Sequence, residues 1–133
     1  MPDTVLDSHA LLTFFRAEKG DDKVKHLLER AGEHNKFLHM TEVNYAEVKY
    51  IIMRKDGPDR WAKISSELPI LPITFHPATR ALADTAANIK SRHSLSLADA
   101  FAAALAKERK AELVTGDREF KALEGEIKIG WLK

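Results

Sequence analysis

The chain has 133 residues, with 21 Lys and Arg against 20 Asp and Glu, and no cysteine. That composition excludes disulfides, thiolate metal sites and a cysteine nucleophile, and it fits a reducing cytoplasm. A net charge of +1 is too small to mark a nucleic-acid partner by itself.

Hydrophobic residues at 44% and charged residues at 31% describe a globular chain rather than a disordered one. The length predicts one domain spanning residues 1–133. No apolar run approaches the ~20 residues that cross a bilayer. No basic segment followed by an apolar stretch opens the sequence, so no signal peptide is expected. The expectation is a cytoplasmic protein without a membrane partner.

In chain order, Val5-Leu6 reads as a first strand, and Ala10 to Glu18 as a helix closed near Gly20. Lys23 to Gly32 is a second helix, with Val24, Leu27 and Leu28 on one face. Phe37 to Met40 is a strand, and Thr41 to Lys55 a long helix stopped by Gly57-Pro58. Arg60 to Leu68 forms another helix. Ile70 to Ile73 reads as an edge strand, since it contains Pro72 and proline is excluded from central strands. Pro77 to Ser91 and Leu97 to Glu108 are helical. Glu112 to Thr115 is a strand, Asp117 to Leu123 a short helix, and Ile127 to Ile129 a last strand.

This alternation predicts an α/β fold in three layers. A mostly parallel sheet of four to five strands lies between helices on both faces. Right-handed crossovers bring every strand-to-helix junction to one edge, outside the carboxyl ends of the strands, where ligands bind in such sheets. Four acids then converge. Asp7 follows the first strand and Asp117 follows Thr115 after one glycine. Glu47 and Asp99 lie in the first two turns of their helices.

Each acid alone is explained as a helix cap or a first-turn acid. Ser96-Leu97-Ala98-Asp99 matches a capping box, and Asn44-Tyr45-Ala46-Glu47 does so more loosely. Two features go further. Asp99 opens LADAFAAALA, apolar all round, the pattern of a buried helix. A buried carboxylate needs a partner or takes up a proton, and this helix has no Lys or Arg before Lys107. Glu47, in turn, projects between Val43, Tyr50 and Ile51 on the apolar stripe of its own helix. Carboxylates gathered on one edge repel one another, and a divalent cation relieves that. Mg²⁺ and Mn²⁺ take oxygen ligands, typically carboxylates plus water and phosphate.

The blocks Val5-Leu6-Asp7-Ser8, Thr41-x-x-Asn44-x-x-Glu47, Leu97-Ala98-Asp99-Ala100 and Leu113 to Phe120 together resemble the PIN-domain nucleases. The small single-domain form is similar to the VapC-type toxins of toxin–antitoxin pairs. The resemblance spans essentially the whole chain. It implies a PIN-like fold and a Mg²⁺- or Mn²⁺-dependent endoribonuclease. Asp7, Glu47, Asp99 and Asp117 fall on the acidic, metal-holding positions, and Thr115 on a hydroxyl position near the metal or attacking water. Asn44 stands where Thr or Ser is common. Glu119 reads as an exposed first-turn residue or a further acid, and Ser8 as a site contact or a helix cap.

The implied partners are an RNA substrate, a cognate antitoxin and a second copy in a homodimer. With four carboxylates sequestered, the remaining balance is 21 − (20 − 4) = +5, modest but compatible with RNA held at a basic rim. Arg54, Lys55, Arg92 and Arg118 are the rim candidates. Trp61 and Trp131 are read as core residues first and base-stacking residues second. The six histidines show no metal-binding spacing and are read as surface or turn residues, with His9 alone near the site. Apolar residues of the early helices (Leu11, Leu12, Phe14, Phe15, Val24, Leu27, Leu28, Tyr45, Val48, Ile52) exceed what one core needs and suggest a partner groove.

Rival folds fit less well. A phosphoacceptor response regulator wants an acidic pair after its first strand, and no Asp directly follows Ile73. A haloacid-dehalogenase-type phosphatase wants Asp-x-Asp, and this chain has Asp7-Ser8-His9. The non-enzymatic alternative is a catalytically silent PIN-like domain that binds RNA or protein.

Overall fold

The computed structural model describes residues 3–132. Its frame is a five-stranded sheet: β1 (Thr4–Leu6), β2 (Leu38–Thr41), β3 (Ile73–His76), β4 (Glu112–Thr115) and β5 (Ile129–Trp131). The strand order is β3-β2-β1-β4-β5, and every neighbouring pair is parallel. The helices are α1 (Ser8–Phe15), α2 (Asp21–Glu33), α3 (Glu42–Asp56), α4 (Pro58–Glu67), α5 (Arg80–Arg92) and α6 (Leu97–Arg109).

From β1 the chain builds outward through β2 and β3, then crosses back to β4 and β5. Right-handed crossovers running in opposite directions put their helices on opposite faces. Residues of α1 to α4 therefore share one core with Leu6, Leu38, Met40 and Val114. Residues of α5 and α6 share the other with Val5 and Leu113. Adjacent residues of β1 and β4 divide between the two cores, as the period of two requires. The direction reverses between β1 and β4, so the crevice of this sheet opens at their carboxyl ends.

The expected α/β class and three layers are present, with five strands all parallel. Several boundaries differ. α1 begins two residues early because Asp7 caps it, and it ends at Phe15, before the left-handed Ala17. Ile70, expected to open the strand over Ile70 to Ile73, instead ends a 3-10 turn (Leu68–Ile70) and is 81% exposed. The strand begins at Ile73. Pro72 has no N–H for a ladder, but its carbonyl accepts the Leu38 amide at 2.8 Å and so opens the β2–β3 pair. β3 is nonetheless the edge strand, as expected. The last strand starts at Ile129 rather than Ile127, whose amide instead closes a turn onto Leu123.

Of the early-helix apolar residues, Leu27 lines an open cleft with Ala31, Phe37 and Leu38, and most of the others are taken up by the core. Leu11, Phe15, Val24, Leu28, Val48 and Ile52 are buried in the α1–α4 core, and Leu12, Phe14, Leu27 and Tyr45 pack against it. A layer of four helices absorbs more apolar surface than the sequence reading allowed. The exposed large apolar residues among those described are Phe37, Tyr50, Met53, Ile70 and Leu97. Tyr50 was expected on the inward stripe of α3, whose buried positions are Asn44, Val48 and Ile52.

Two of the histidines, expected at the surface or in turns, lie on strands instead. His39 is buried on β2, and its Nδ1 lies 2.9 Å from Nε2 of His76 on β3. Burial first, then the charge of Arg109, holds both imidazoles below their usual range, with Asp3 opposing this at His39. Among the described residues, no helix is long and apolar enough to cross a membrane.

Candidate active site

Asp7 leaves β1 fully buried. One oxygen accepts the Ala10 amide at 2.8 Å and caps α1, and the other accepts the Thr115 hydroxyl at 2.5 Å. That hydroxyl oxygen in turn accepts the Asp117 amide at 2.9 Å. A side-chain bridge thus joins the ends of β1 and β4 at the switch point. Burial pushes the Asp7 carboxyl up to about 7. The bonds from Thr115 and Ala10 oppose the rise, and the charges of Asp99 and Asp117 add to it.

Asp99 sits in the first turn of α6, only 7% exposed. Ser96 is the cap: its hydroxyl oxygen accepts the Asp99 amide at 3.1 Å. The helix beneath, Ala100 to Ala106, is buried throughout, as its composition predicted. Burial again comes first in raising this carboxyl to about 7. The neighbouring charges of Asp117, Glu47 and Glu119 add to that, against the Ser96 hydroxyl.

Asp117 caps the 3-10 turn over Arg118–Leu123 through the Glu119 amide at 2.9 Å. The turn folds Glu119 back, so that oxygens of Asp99, Asp117 and Glu119 all lie within 4.8 Å of one another. Among the described residues, no other group of three acids, histidines or cysteines meets that spacing. Glu119 is exposed, as expected, yet it belongs to this cluster. Asp7 and Glu47 stand outside the tight group. Both still act on it electrostatically, Asp7 beside Asp99 and Asp117, and Glu47 beside Asp99.

Glu47 is half-buried and accepts a hydrogen bond from the Ser8 hydroxyl. Ser8 is therefore a site contact, and Asp7 is the cap. The loose capping box at Asn44 is not used. Thr41 caps α3, and its hydroxyl oxygen accepts the Asn44 amide at 2.9 Å. Asn44 is fully buried; its carbonyl accepts the Thr41 hydroxyl, and its NH₂ donates to the Ala98 carbonyl at 3.1 Å. It clamps the start of α6 to the start of α3 and so fixes where Asp99 and Glu47 emerge. No sequence spacing pointed to this link, which joins residues 54 apart.

His9 does lie at the site. Its ring covers Gly116, where an added Cβ would fall 2.5 Å from the ring Cε1. Trp61 is core, as expected, edge-on to Tyr45.

None of the ion pairs among the described residues involves Asp7, Glu47, Asp99, Asp117 or Glu119. The cluster is thus an oxygen-only, anionic donor set without cationic neutralisation. That matches hard divalent cations such as Mg²⁺ or Mn²⁺. Asp99, Asp117 and Glu119 can each offer an oxygen to one ion, with Asp7 and Glu47 alongside.

A family model described as PIN domain matches residues 4–126. No curated protein sequence matches this one. Solved structures share the fold at low identity. DNA-bound VapBC from Salmonella typhimurium has a chain 18% identical, covering 100% of both chains with a TM-score of 0.76. VapBC2 from Rickettsia felis, bound to a promoter DNA fragment, has one 16% identical, covering 96% of each with a TM-score of 0.74. VapC20 of Mycobacterium tuberculosis, a sarcin–ricin loop cleaving toxin, is 14% identical, covering 90% of this chain and 94% of its own, with a TM-score of 0.68.

Proposed function

The chain belongs to the PIN-domain family, and from that premise we propose that it is a Mg²⁺- or Mn²⁺-dependent endoribonuclease, the VapC-type toxin of a toxin–antitoxin pair. The observation that carries the reading is the acid cluster: carboxylates gathered at the sheet's switch point that enter no ion pair among the described residues. Asp99 and Asp7, raised to about 7, are costly to ionise without a cation and cheap to ionise with one.

In this reading Asp99, Asp117 and Glu119 hold the ion directly, and Asp7 and Glu47 complete its anionic surroundings. The ion supplies charge neutralisation for a phosphodiester and a water of lowered pKa. Thr115 keeps Asp7 ionisable and fixes the Asp117 backbone through its two bonds. Ser8 orients Glu47, leaving it able to take a proton from an attacking water. Hydrolysis by water leaves a 5′-phosphate and a 3′-hydroxyl.

Cleavage of the sarcin–ricin loop by VapC20 supports RNA as the substrate class. The VapBC assemblies from Salmonella and Rickettsia support a cognate antitoxin. Tyr50 and Met53 on α3, with Leu97 near the site, are apolar surface available to that antitoxin or to a second copy in a homodimer. The protein acts in the cytoplasm, where its RNA is.

The test is cleavage of mixed structured RNA by the purified chain with Mn²⁺, with EDTA, and as Asp99→Asn. Products ending in 5′-phosphate, only with Mn²⁺ and only with Asp99, are expected. Cleavage indifferent to both EDTA and the substitution, or products ending in 2′,3′-cyclic phosphate, overturns the reading.

A further inference from the structure

Two groups beside the carboxylates have no role in the reaction described. Trp131 ends β5 in register with Thr115 of β4, and register partners of a parallel pair project from the same face. The Thr115 side chain holds Asp7 and the Asp117 amide. The indole therefore stands on the same edge and face as the acids, one strand further out. Trp61 is buried at 8% exposure, whereas Trp131 is only partly covered.

Trp131 packs against the edge of the α5–α6 core, in part as expected, and three further contacts fix it in place. Its indole N–H donates to Glu124 at 2.9 Å, its carbonyl accepts from Lys23 at 3.0 Å, and the Arg118 guanidinium lies over its ring, 5.5 Å from the centroid. Arg118 is exposed, directly follows Asp117, and has no ion-pair partner among the described residues. A planar cation backed by an indole is a flat, positive surface bordering an acidic pocket.

We propose that Arg118 and Trp131 form a stacking site for one unpaired nucleobase of the RNA strand whose backbone lies at the carboxylates. The proposal rests on the ribonuclease reading and adds how the strand is seated. The acid cluster repels a polyanion, so affinity has to come from its border. Stacking on aromatic and guanidinium planes supplies it without reading the base, because every base has a π-face. Bases within a helix keep those faces covered, so the site selects an unpaired nucleotide. Weak base preference and a requirement for single-stranded RNA at this position follow.

The experiment is a fluorescence titration of the full chain in EDTA at low salt. The probes are a short unpaired RNA and an abasic ribose-phosphate strand of equal length. Quenching of Trp131 by RNA but not by the abasic strand is expected. Trp131→Leu should weaken RNA binding about tenfold, as loss of one stacked base does. Trp131→Phe should restore most of it. Arg118→Gln, on the surface and harmless to folding, should also weaken binding. In Mn²⁺ the Trp131→Leu loss should fall on KM more than on kcat.

Equal binding of both strands, absence of quenching, or unchanged binding in Trp131→Leu and Arg118→Gln overturns the stacking site. Cleavage with KM unchanged in both variants removes the stacking site and leaves the ribonuclease. Stacking-dependent binding without any cleavage removes the ribonuclease and leaves a base-stacking face.

Discussion

Replacing Asp99 by Asn removes one negative charge from a crowded, buried place and keeps the shape of the side chain. The folded-state pKa of Asp99 rises from the ordinary 3.8 to about 7, first by burial and then by the charges of Asp117, Glu47 and Glu119. The folded protein therefore binds this proton more tightly than the unfolded chain does. The resulting stability is fully present below about pH 4 and is lost as pH rises through about 7. A shift of that size amounts to about 4 kcal/mol at pH 8. Because neighbouring acids share the same proton equilibrium, the single substitution recovers about half, about 2 kcal/mol. Urea denaturation in EDTA should find Asp99→Asn more stable than the parent at pH 8 by that amount and equal to it at pH 4. Saturating Mn²⁺ should then stabilise the parent more than the variant, reversing the order. An Asn variant less stable than the parent at pH 8 in EDTA, or a difference that ignores pH, would refute the electrostatic argument. It would reduce Asp99 to a first-turn helix residue.

Thr115→Val removes the bond to Asp7 and the acceptor of the Asp117 amide. It should cost about 1–3 kcal/mol in chemical denaturation and move the acidic limb of the pH–rate profile upward, because Asp7 loses the bond that favours its ionised form. Gly116→Ala drives a Cβ to 2.5 Å from the His9 ring and should lower stability by about 1–3 kcal/mol. His9→Ala in the same chain should return most of that loss, which a double-mutant cycle measures. Asn44→Ala leaves the Ala98 carbonyl and the Thr41 hydroxyl without their partner. It should cost about 1–3 kcal/mol and lower RNA cleavage with Mn²⁺, measured at a temperature where the variant is folded.

The parts of this site that could be read in the sequence are those whose signal is local. Asp7 and Asp117 stand where short β-branched runs stop, and Asp99 opens a helix too apolar to leave it in water. Those patterns survive any detail of the fold. Glu47 was legible from its place on an apolar stripe, although Tyr50 on the same projection turned out to face solvent. A stripe drawn from periodicity does not know how wide the neighbouring layer is. Other features needed the tertiary structure. His39 and His76 meet across two strands, 37 residues apart. The Asn44 link to Ala98 joins two helix starts. Neither residue carries a sequence signal for its partner. Ile70 to Ile73 looked like a strand because its composition is β-favouring. The fold used Pro72 instead to start the strand, and the more polar Ile73–His76 paired.

The choice between caps and functional acids, open at the level of sequence, dissolves in the geometry. Asp7 spends one oxygen on the Ala10 amide and the other on Thr115. Asp117 caps with one oxygen and turns the chain so that Glu119 comes back beside Asp99. A cap demands that its carboxylate sit just before a helix, and a parallel sheet gathers those positions on one edge at the carboxyl ends of its strands. Capping acids in a fold of this kind are thus brought together by the topology. What distinguishes this edge from a row of ordinary caps is that its acids enter no ion pair among the described residues. Caps exposed to water need none. For Asp99, raised to about 7 between the charges of Asp117, Glu47 and Glu119, capping explains nothing, because Ser96 already fills that role. Burial and those charges favour its neutral form, and a bound cation, as proposed above, would favour the ionised one.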